Sequence, residues 1–259
     1  MRPPYNNNNN NNNRTTLLFE TFFQGWLLRQ QNYLDQLLII ISSSAKTHNN
    51  LQTKPTENEL RTLVSQVLTH YQQYYAAKAT VTRANGNVFL MFAPPWFSSF
   101  EHTLLWITGF KPGLAFKLLN SSVDQDDLSD EQLERVRSLT METREAERDL
   151  NNELARVQES LAAPPIVDLA RMTQGRRVNG EIGGDVDAAI QTLREAMEAL
   201  VENADLVRMT TARKVVEILS PIQAVRFLAA ATQLQVKIRM WGWKREAARG
   251  GGGASSLAN

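Results

Sequence analysis

Histidine, tyrosine and lysine crowd together at one place in this sequence, His70-Tyr71, Tyr74-Tyr75 and Lys78. On a helix, steps of three and four bring Tyr71, Tyr74, Tyr75 and Lys78 side by side, where phenol rings bury their bodies and keep hydroxyls for hydrogen bonds. Such a group can line a ligand pocket, and it can equally form the rim of a core against a neighbouring helix. With Trp96 and Trp106, Tyr71 and Tyr75 are the candidate walls of an apolar pocket for an acyl chain or a hormone-like molecule. His48 falls in a polar stretch and His102 follows Glu101. Adjacent helical residues point about 100° apart, so Glu101 and His102 do not share a face as an acid–base pair. The chain holds three histidines and no cysteine. A histidine-rich metal site, a thiolate zinc site, a disulfide framework and a cysteine nucleophile are therefore excluded. No catalytic, cofactor-binding or metal-ligating residue is expected.

Other motifs fall short of chemistry in the same way. Gly180-Glu181-Ile182-Gly183-Gly184 is glycine-rich and precedes a helix, but no strand comes before it and no Gly-Lys-Ser/Thr follows, so it is not a phosphate loop. No serine sits in a glycine-flanked elbow. The carboxylates between Asp124 and Glu159 are interleaved with Arg135, Arg137, Arg144, Arg148 and Arg156, the pattern of a solvated, charge-paired helix face. Lys237, Arg239, Lys244, Arg245 and Arg249 make a local basic run beside Trp241 and Trp243, read either as cations at a helix C-terminus or as a weak nuclear-localisation or acidic-partner patch. A net charge of +1 gives no global field for DNA or an anionic membrane. Apolar runs such as Leu37 to Ile41 are far too short to span a bilayer, and the N-terminus lacks the apolar stretch of a signal peptide. The plain reading is a soluble intracellular protein.

The elements that would position these residues are helical throughout. Asn6 to Asn13 is low-complexity sequence, and residues 1–15 are expected to form a disordered tail. Leu17, Leu18, Phe22, Trp26, Arg29, Tyr33, Leu37 and Ile41 follow a helical spacing from near Thr16. Ser42 to Pro55 should loop out. Thr56 with Glu59 forms a capping box for a helix through Leu60, Leu63, Val67 and Tyr71 to about Val81, which pairs with the first as an antiparallel hairpin. Asn85-Gly86-Asn87 is a turn signal, and Val88 to Phe92 reads as an extended, buried connector. Ala93-Pro94-Pro95-Trp96 stops a helix from either side. Ser98 or Ser99 caps a segment with Leu104, Leu105 and Trp106, broken by Gly109 to Gly113 before a short helix through Phe116 and Leu119.

Beyond the acidic linker Asp124 to Asp130, Ser129 and Gln132 form a second capping box for a long helix that ends at Ala163-Pro164-Pro165. Gln174 to Gly184 should be a flexible loop. Val186, Ile190, Leu193, Met197, Leu200, Ala204 and Val207 form the cleanest seam, followed by a separate helix from Thr211 to Leu219. In the last helix Ser220 is the N-cap, Pro221 suits the first position, Phe227, Ala231, Leu234 and Ile238 line one face, and Gly242 offers a stop. Residues 247–259, with their glycine run, are expected as a second disordered tail. The fold class is all-α, a single large helical bundle of about eight helices over residues 16–246.

Blocks of this sequence resemble the plant Delay of Germination family, whose domain also follows the leucine zipper of TGA-class transcription factors. They are Phe22-Phe23-Gln24-Gly25-Trp26 with Gln30 and Leu34; His70-Tyr71 with Tyr74, Tyr75 and Lys78; Pro95-Trp96 with Glu101, Leu105, Trp106, Gly109 and Pro112; Leu128-Ser129; and Leu219 to Gln223 with Phe227-Leu228 and Trp241-Gly242. Pro94 to Phe97, and Thr143 to Ser160, look most like the Delay of Germination-like branch. The resemblance implies a non-enzymatic helical regulator of seed maturation, dormancy and abscisic-acid responses, working through protein partners, with a homodimer among the assemblies open to it. In TGA factors a basic leucine zipper precedes the domain, whereas Met1 to Thr16 contain neither a basic region nor heptads, so direct DNA contact is not expected. Some relatives carry a histidine pair on the final helix that could ligate haem. Gln235 and Arg239 occupy those positions here, so no haem, and no other cofactor, is expected.

Overall fold

The computed structural model describes residues 7–45, 55–84, 88–160, 162 and 180–251. Among them are eight α-helices: α1 Asn7–Ala45, α2 Glu57–Arg83, α3 Val88–Phe92, α4 Ser99–His102, α5 Leu114–Ser122, α6 Asp130–Ser160, α7 Gly180–Ile218 and α8 Pro221–Gly251, with a 3₁₀ turn at Gln125–Asp127. The described residues contain no strand, only an isolated bridge between Trp106 and Gly109. No described helix is long and apolar enough to cross a membrane.

Two antiparallel hairpins organise the chain. In the first, α1 and α2 run past one another so that Phe23 meets Tyr74, Trp26 meets His70 and Gln30 meets Tyr71. α8 lies against both, and buries Ala224, Val225, Phe227 and Leu228 with Leu37, Leu63, Val67 and Leu119 in the largest core. In the second, α6 and α7 meet along Leu150, Leu200, Val201 and Ala204, with Val88 and Ile107 closing the end. A third, aromatic core joins Phe19, Phe23 and Trp26 of α1 to Val81, Met91 and Trp96. Burying side chains of this size stabilises by roughly 1.5–3 kcal/mol each, so these cores decide the arrangement of the helices.

The capping boxes expected at Thr56 and Ser129 form, and the cap expected at Ser98 or Ser99 is a third box. Thr56 accepts from the Glu59 amide while Glu59 reaches back to Thr56, and Ser98, rather than Ser99, does the same with Glu101 at α4. Ser129 and Gln132 exchange the equivalent pair of bonds ahead of α6.

Several expectations are corrected. α1 begins at Asn7, not near Thr16: once the packed half of the helix is nucleated, each added residue contributes a hydrogen bond without a new nucleus. Val88–Phe92 is helical, not extended; with no strand to pair with, its backbone groups are satisfied locally, and helical spacing buries Val88 and Met91 together. α4 ends at His102, leaving Leu104 to Trp106 outside any helix. α7 runs unbroken through Thr211, since no glycine or proline interrupts Val207 to Leu219 and buried Arg208 and Thr211 anchor that stretch. α8 continues past Gly242 to Gly251, through residues 247–251 that were expected in the C-terminal tail. Gly180 to Gly184, expected within a flexible loop, are helical at the start of α7; residues 1–6, the expected loop around His48, the expected turn at 85–87, the proline pair at 164–165, the stretch from 174 to 179 and residues 252–259 lie outside the described residues.

Gly242 serves packing instead of termination. A Cβ there would lie 2.0 Å from Ser98 Oγ and 2.8 Å from Ser98 Cβ, so the glycine lets the start of α4 rest on α8. Glycine to alanine inside a helix ordinarily gains about 1 kcal/mol. Here Gly242→Ala should lose about 1–3 kcal/mol in urea unfolding through overpacking. Adding Ser98→Gly, which costs the cap only a few tenths, should restore most of the loss.

Candidate functional site

The aromatic group anticipated on α2 faces α1 and α8. Trp26 is fully buried; its Nε1 donates to the His70 carbonyl at 2.9 Å, and its ring stacks on the His70 imidazole at 4.5 Å and 7°. Tyr33 closes on the other side at 5.0 Å. His70 Nε2 has no hydrogen-bond partner. Burial, assisted by the charge of Arg29, pulls the imidazole down to about 4, so the ring is neutral and behaves as a core aromatic. One turn on, the buried Gln30 amide donates to Tyr71 Oη at 2.6 Å and to Gln235 Oε1 at 3.1 Å, and Tyr71 Oη lies 3.2 Å from Thr232 Oγ1. This network ties α1, α2 and α8 in register.

Lys78 is the buried charge of the set. Its Nζ donates to Thr108 Oγ1 at 2.7 Å, to the Thr108 carbonyl at 3.1 Å and to Asp205 at 3.0 Å. Asp205 also accepts from Arg208, one turn along α7. Arg208 spends its remaining donors on the carbonyls of Phe110 at 2.7 Å, Ile107 at 2.8 Å and Trp106. Burial pushes the Lys78 ammonium down to about 8, opposed by Asp205 and reinforced by Arg208.

These bonds hold an unfavourable turn. Trp106 and Gly109 exchange backbone hydrogen bonds of 2.6 and 3.2 Å, and the two residues between them, Ile107 and Thr108, have φ of 43° and 63°. Two-residue turns with positive φ at both centres normally take asparagine and glycine; β-branched residues there are strained and persist only when their surroundings over-determine them. Lys78 and Arg208 do so. Gly109 is no mere break, since a Cβ on it would sit 2.8 Å from Arg208 Cζ. Past the turn, buried Glu147 of α6 accepts from the Gly113 amide at 2.6 Å and pairs with Lys111 at 3.4 Å.

A second buried pair lies across from Lys78. Glu101 Oε2 caps Ser98, through its amide at 2.8 Å and its hydroxyl at 2.7 Å, while Oε1 pairs with Arg239 at 3.1 Å. Arg239 Nη1 also donates to the Trp96 carbonyl, and the guanidinium lies over Phe23 and Trp243. His102 Nε2 sits 2.9 Å from the Pro94 carbonyl, so Glu101 and His102 do separate jobs.

Between the aromatic layer and these ion pairs lies a cavity of about 190 Å³, walled by Trp26, Tyr71, Tyr74 and Tyr75, with Lys78 and Arg239 among its polar groups. Of the four expected wall residues, the fold brings Tyr71 and Tyr75 to it. Trp96 packs on Phe19 at 4.9 Å, and Trp106 Nε1 turns to Asn151 at 2.8 Å. Sequence spacing missed Arg208, because a single arginine in an apolar seam gives no signal of what it caps. Gln235 and Arg239, at the positions where a haem-ligating pair would sit, bond to the Gln30 network and to Glu101, and neither side chain is an axial iron ligand. Among the described residues no group of acidic and histidine side chains is placed to hold a metal ion. The basic run near the C-terminus is dispersed: Arg239 points into the protein, and Arg245 covers Phe100. On α6 the charges form the expected surface pairs, Arg137–Glu134, Arg148–Glu145 and Arg156–Glu153.

Two outcomes follow from this geometry. Asp205→Ala leaves two buried cations without their carboxylate and should cost about 3–5 kcal/mol in urea unfolding. His70, depressed below its ordinary value, binds fewer protons folded than unfolded between about 4 and 6.5. Stability should fall as pH drops through that window, by about 2 kcal/mol from pH 7 to pH 5. His70→Phe should keep the stack on Trp26 and remove this part of the acid-side slope, as read from denaturation midpoints across the pH series.

Comparison with known proteins places this geometry in a family. The family model described as DOG1, seed dormancy control, matches residues 44–121, which include α2, Lys78 and the strained turn. The chain is 43% identical over 183 residues to the protein RESPONSE TO ABA AND SALT 1 of Arabidopsis thaliana, covering 70% of this chain and 78% of that protein. It is 35% identical over 199 residues to the DOG1-like 4 protein of the same plant, covering 76% and 83%. Similarity extends to the Arabidopsis transcription factor TGA7, 30% identical over 190 residues, covering 73% of this chain and 48% of that factor. With a helical scaffold among the described residues and two of these relatives matched over most of their length, the chain belongs to the seed dormancy control (DOG1) family.

Proposed function

We propose that this protein is a non-enzymatic regulator in seed maturation and dormancy and in abscisic-acid-linked control of gene expression, and that it works in nucleus and cytoplasm by docking on other proteins. The names of its relatives support the physiological setting. The observation that carries the docking mechanism is a row of large apolar side chains left in solvent on α1. Leu17, Leu28 and Ile39 are 62%, 72% and 67% exposed. They are eleven residues apart, close to three helical turns, so they fall in line along one edge of the helix. Apolar anchors aligned along one helix edge are what a groove in a partner engages. The buried charges, by contrast, are occupied in holding the fold: Lys78 by Asp205 and Thr108, Glu101 by Ser98 and Arg239.

The test is a quantitative affinity capture from maturing seed, comparing the native chain with Leu17→Glu/Leu28→Glu/Ile39→Glu. The variant should fold normally, since these side chains are exposed, and should lose at least one partner that the native chain enriches. Identical partner sets for the two chains, or no specific partner for either, would overturn the reading. Salt-sensitive binding of the isolated chain to duplex DNA of TGACG type would favour direct DNA recognition in its place.

A further inference from the structure

The cavity beside Lys78 has a size, a wall chemistry and a charge that together describe a ligand, independently of the docking face on α1. Its volume is about 190 Å³, somewhat above the roughly 150 Å³ of an apolar cavity that holds benzene. That is room for one ring with a short substituent. The wall offers aromatic surface through Tyr71, Tyr74 and Tyr75, which are only partly buried, while Phe23 and Trp26 close the layer behind them.

Two hydroxyls on this wall are unused. Tyr74 and Tyr75 both line the cavity, and neither Oη has a hydrogen-bond partner among the described residues, unlike Tyr71. Burial raises both phenols above their ordinary range, yet both rings keep accessible surface. Tyrosine hydroxyls left without a partner in such a place are donors ready for an acceptor.

The charges around the void do not cancel. Lys78, Arg208 and Arg239 line it, and their carboxylate partners are Asp205, shared by the first two, and Glu101. Lys111, also on the wall, has Glu147 to itself. Asp205 facing two cations therefore leaves one positive charge in excess. Arg239 has spare capacity, because its bonds to Glu101 and to the Trp96 carbonyl both use Nη1.

We propose that this cavity binds a single-ring monocarboxylate, with the ring against the partly accessible tyrosines of the wall and the carboxylate against Arg239 and the free tyrosine hydroxyls. A monoanion of this kind engages the unused donors of Arg239 and the tyrosines, lowers the net positive charge lining the pocket and fills the void at once. A carboxylate hydrogen-bonded to a guanidinium and a phenol in a low-dielectric site makes the stronger, charge-assisted type of hydrogen bond.

The experiment is calorimetric titration of the full chain with phenylacetate, benzyl alcohol and dodecanoate as probes. Phenylacetate should bind one to one, and about tenfold or more tighter than benzyl alcohol, which has the ring without the charge. Ala231→Leu, which fills the cavity from α8, should abolish binding while the thermal midpoint is kept; Ala212→Val, which fills it from α7, does the same service if the first variant is unstable. Arg239→Lys should weaken phenylacetate and leave benzyl alcohol unchanged. Absence of phenylacetate binding at millimolar concentration, equal affinity for benzyl alcohol, binding of dodecanoate alone, or full binding to a folded cavity-filled variant would each overturn the assignment.

Discussion

The carboxylate of Asp205 is the point on which the two helical hairpins depend. It is buried on α7, between a lysine from α2 and an arginine from its own helix. An isolated charge in that position would be far too costly to keep, and even a well-made buried pair is weak evidence for net stability. The triad's contribution is specificity of arrangement. Lys78 can satisfy its three protons only if α7 and the 106–109 turn are both in place, so alternative packings of the same greasy seams are penalised. The apolar cores provide the driving force, and the ionic cluster selects which helices meet.

This division of labour explains why some features were legible in the sequence and others were not. The long helices, the α1–α2 hairpin and the capping boxes at Thr56 and Ser129 rest on local periodicity and local hydrogen bonds, and they could be read directly. So could the crowding of Tyr71, Tyr74, Tyr75 and Lys78, because spacing of three and four holds on any helix. The turn at Ile107-Thr108 was not legible, since its residue types contradict its conformation and the cause sits 30 residues before it on α2 and about 100 residues after it on α7. Gly242 misled for the same reason: glycine at a helix end and glycine under a crossing helix look alike in one dimension, and only the contact with Ser98 separates them. The pocket was half legible. Tyr71 and Tyr75 share a helix, whereas Trp96 and Trp106 are directed by tertiary contacts that no spacing encodes.

Polar groups in this protein are concentrated where helices must be placed relative to one another, and the surface obeys the opposite rule. The ion pairs along α6 are exposed and close in sequence, each worth a few tenths of a kcal/mol at most, and serve solubility more than structure. Two glutamates of that helix depart from this pattern: Glu142 reaches Lys214 of α7 at 2.8 Å, and Glu147 is drawn inward to hold the chain at Gly113. The same residue type on the same helix is a solvent group at one register and a clamp at another.

The strained turn also bears on the order in which the molecule assembles. A hairpin with asparagine and glycine at its centre can close by itself and seed the packing around it, but Ile107 and Thr108 disfavour the closed form until Lys78 and Arg208 arrive. The segment between α4 and α5 is thereby a late event, formed when distant parts of the chain have already docked, and loop closure over such separations is slow. Synthesis of α2 alone, or of everything short of α7, leaves this corner without its restraints, so the native contacts there register that the whole chain has come together.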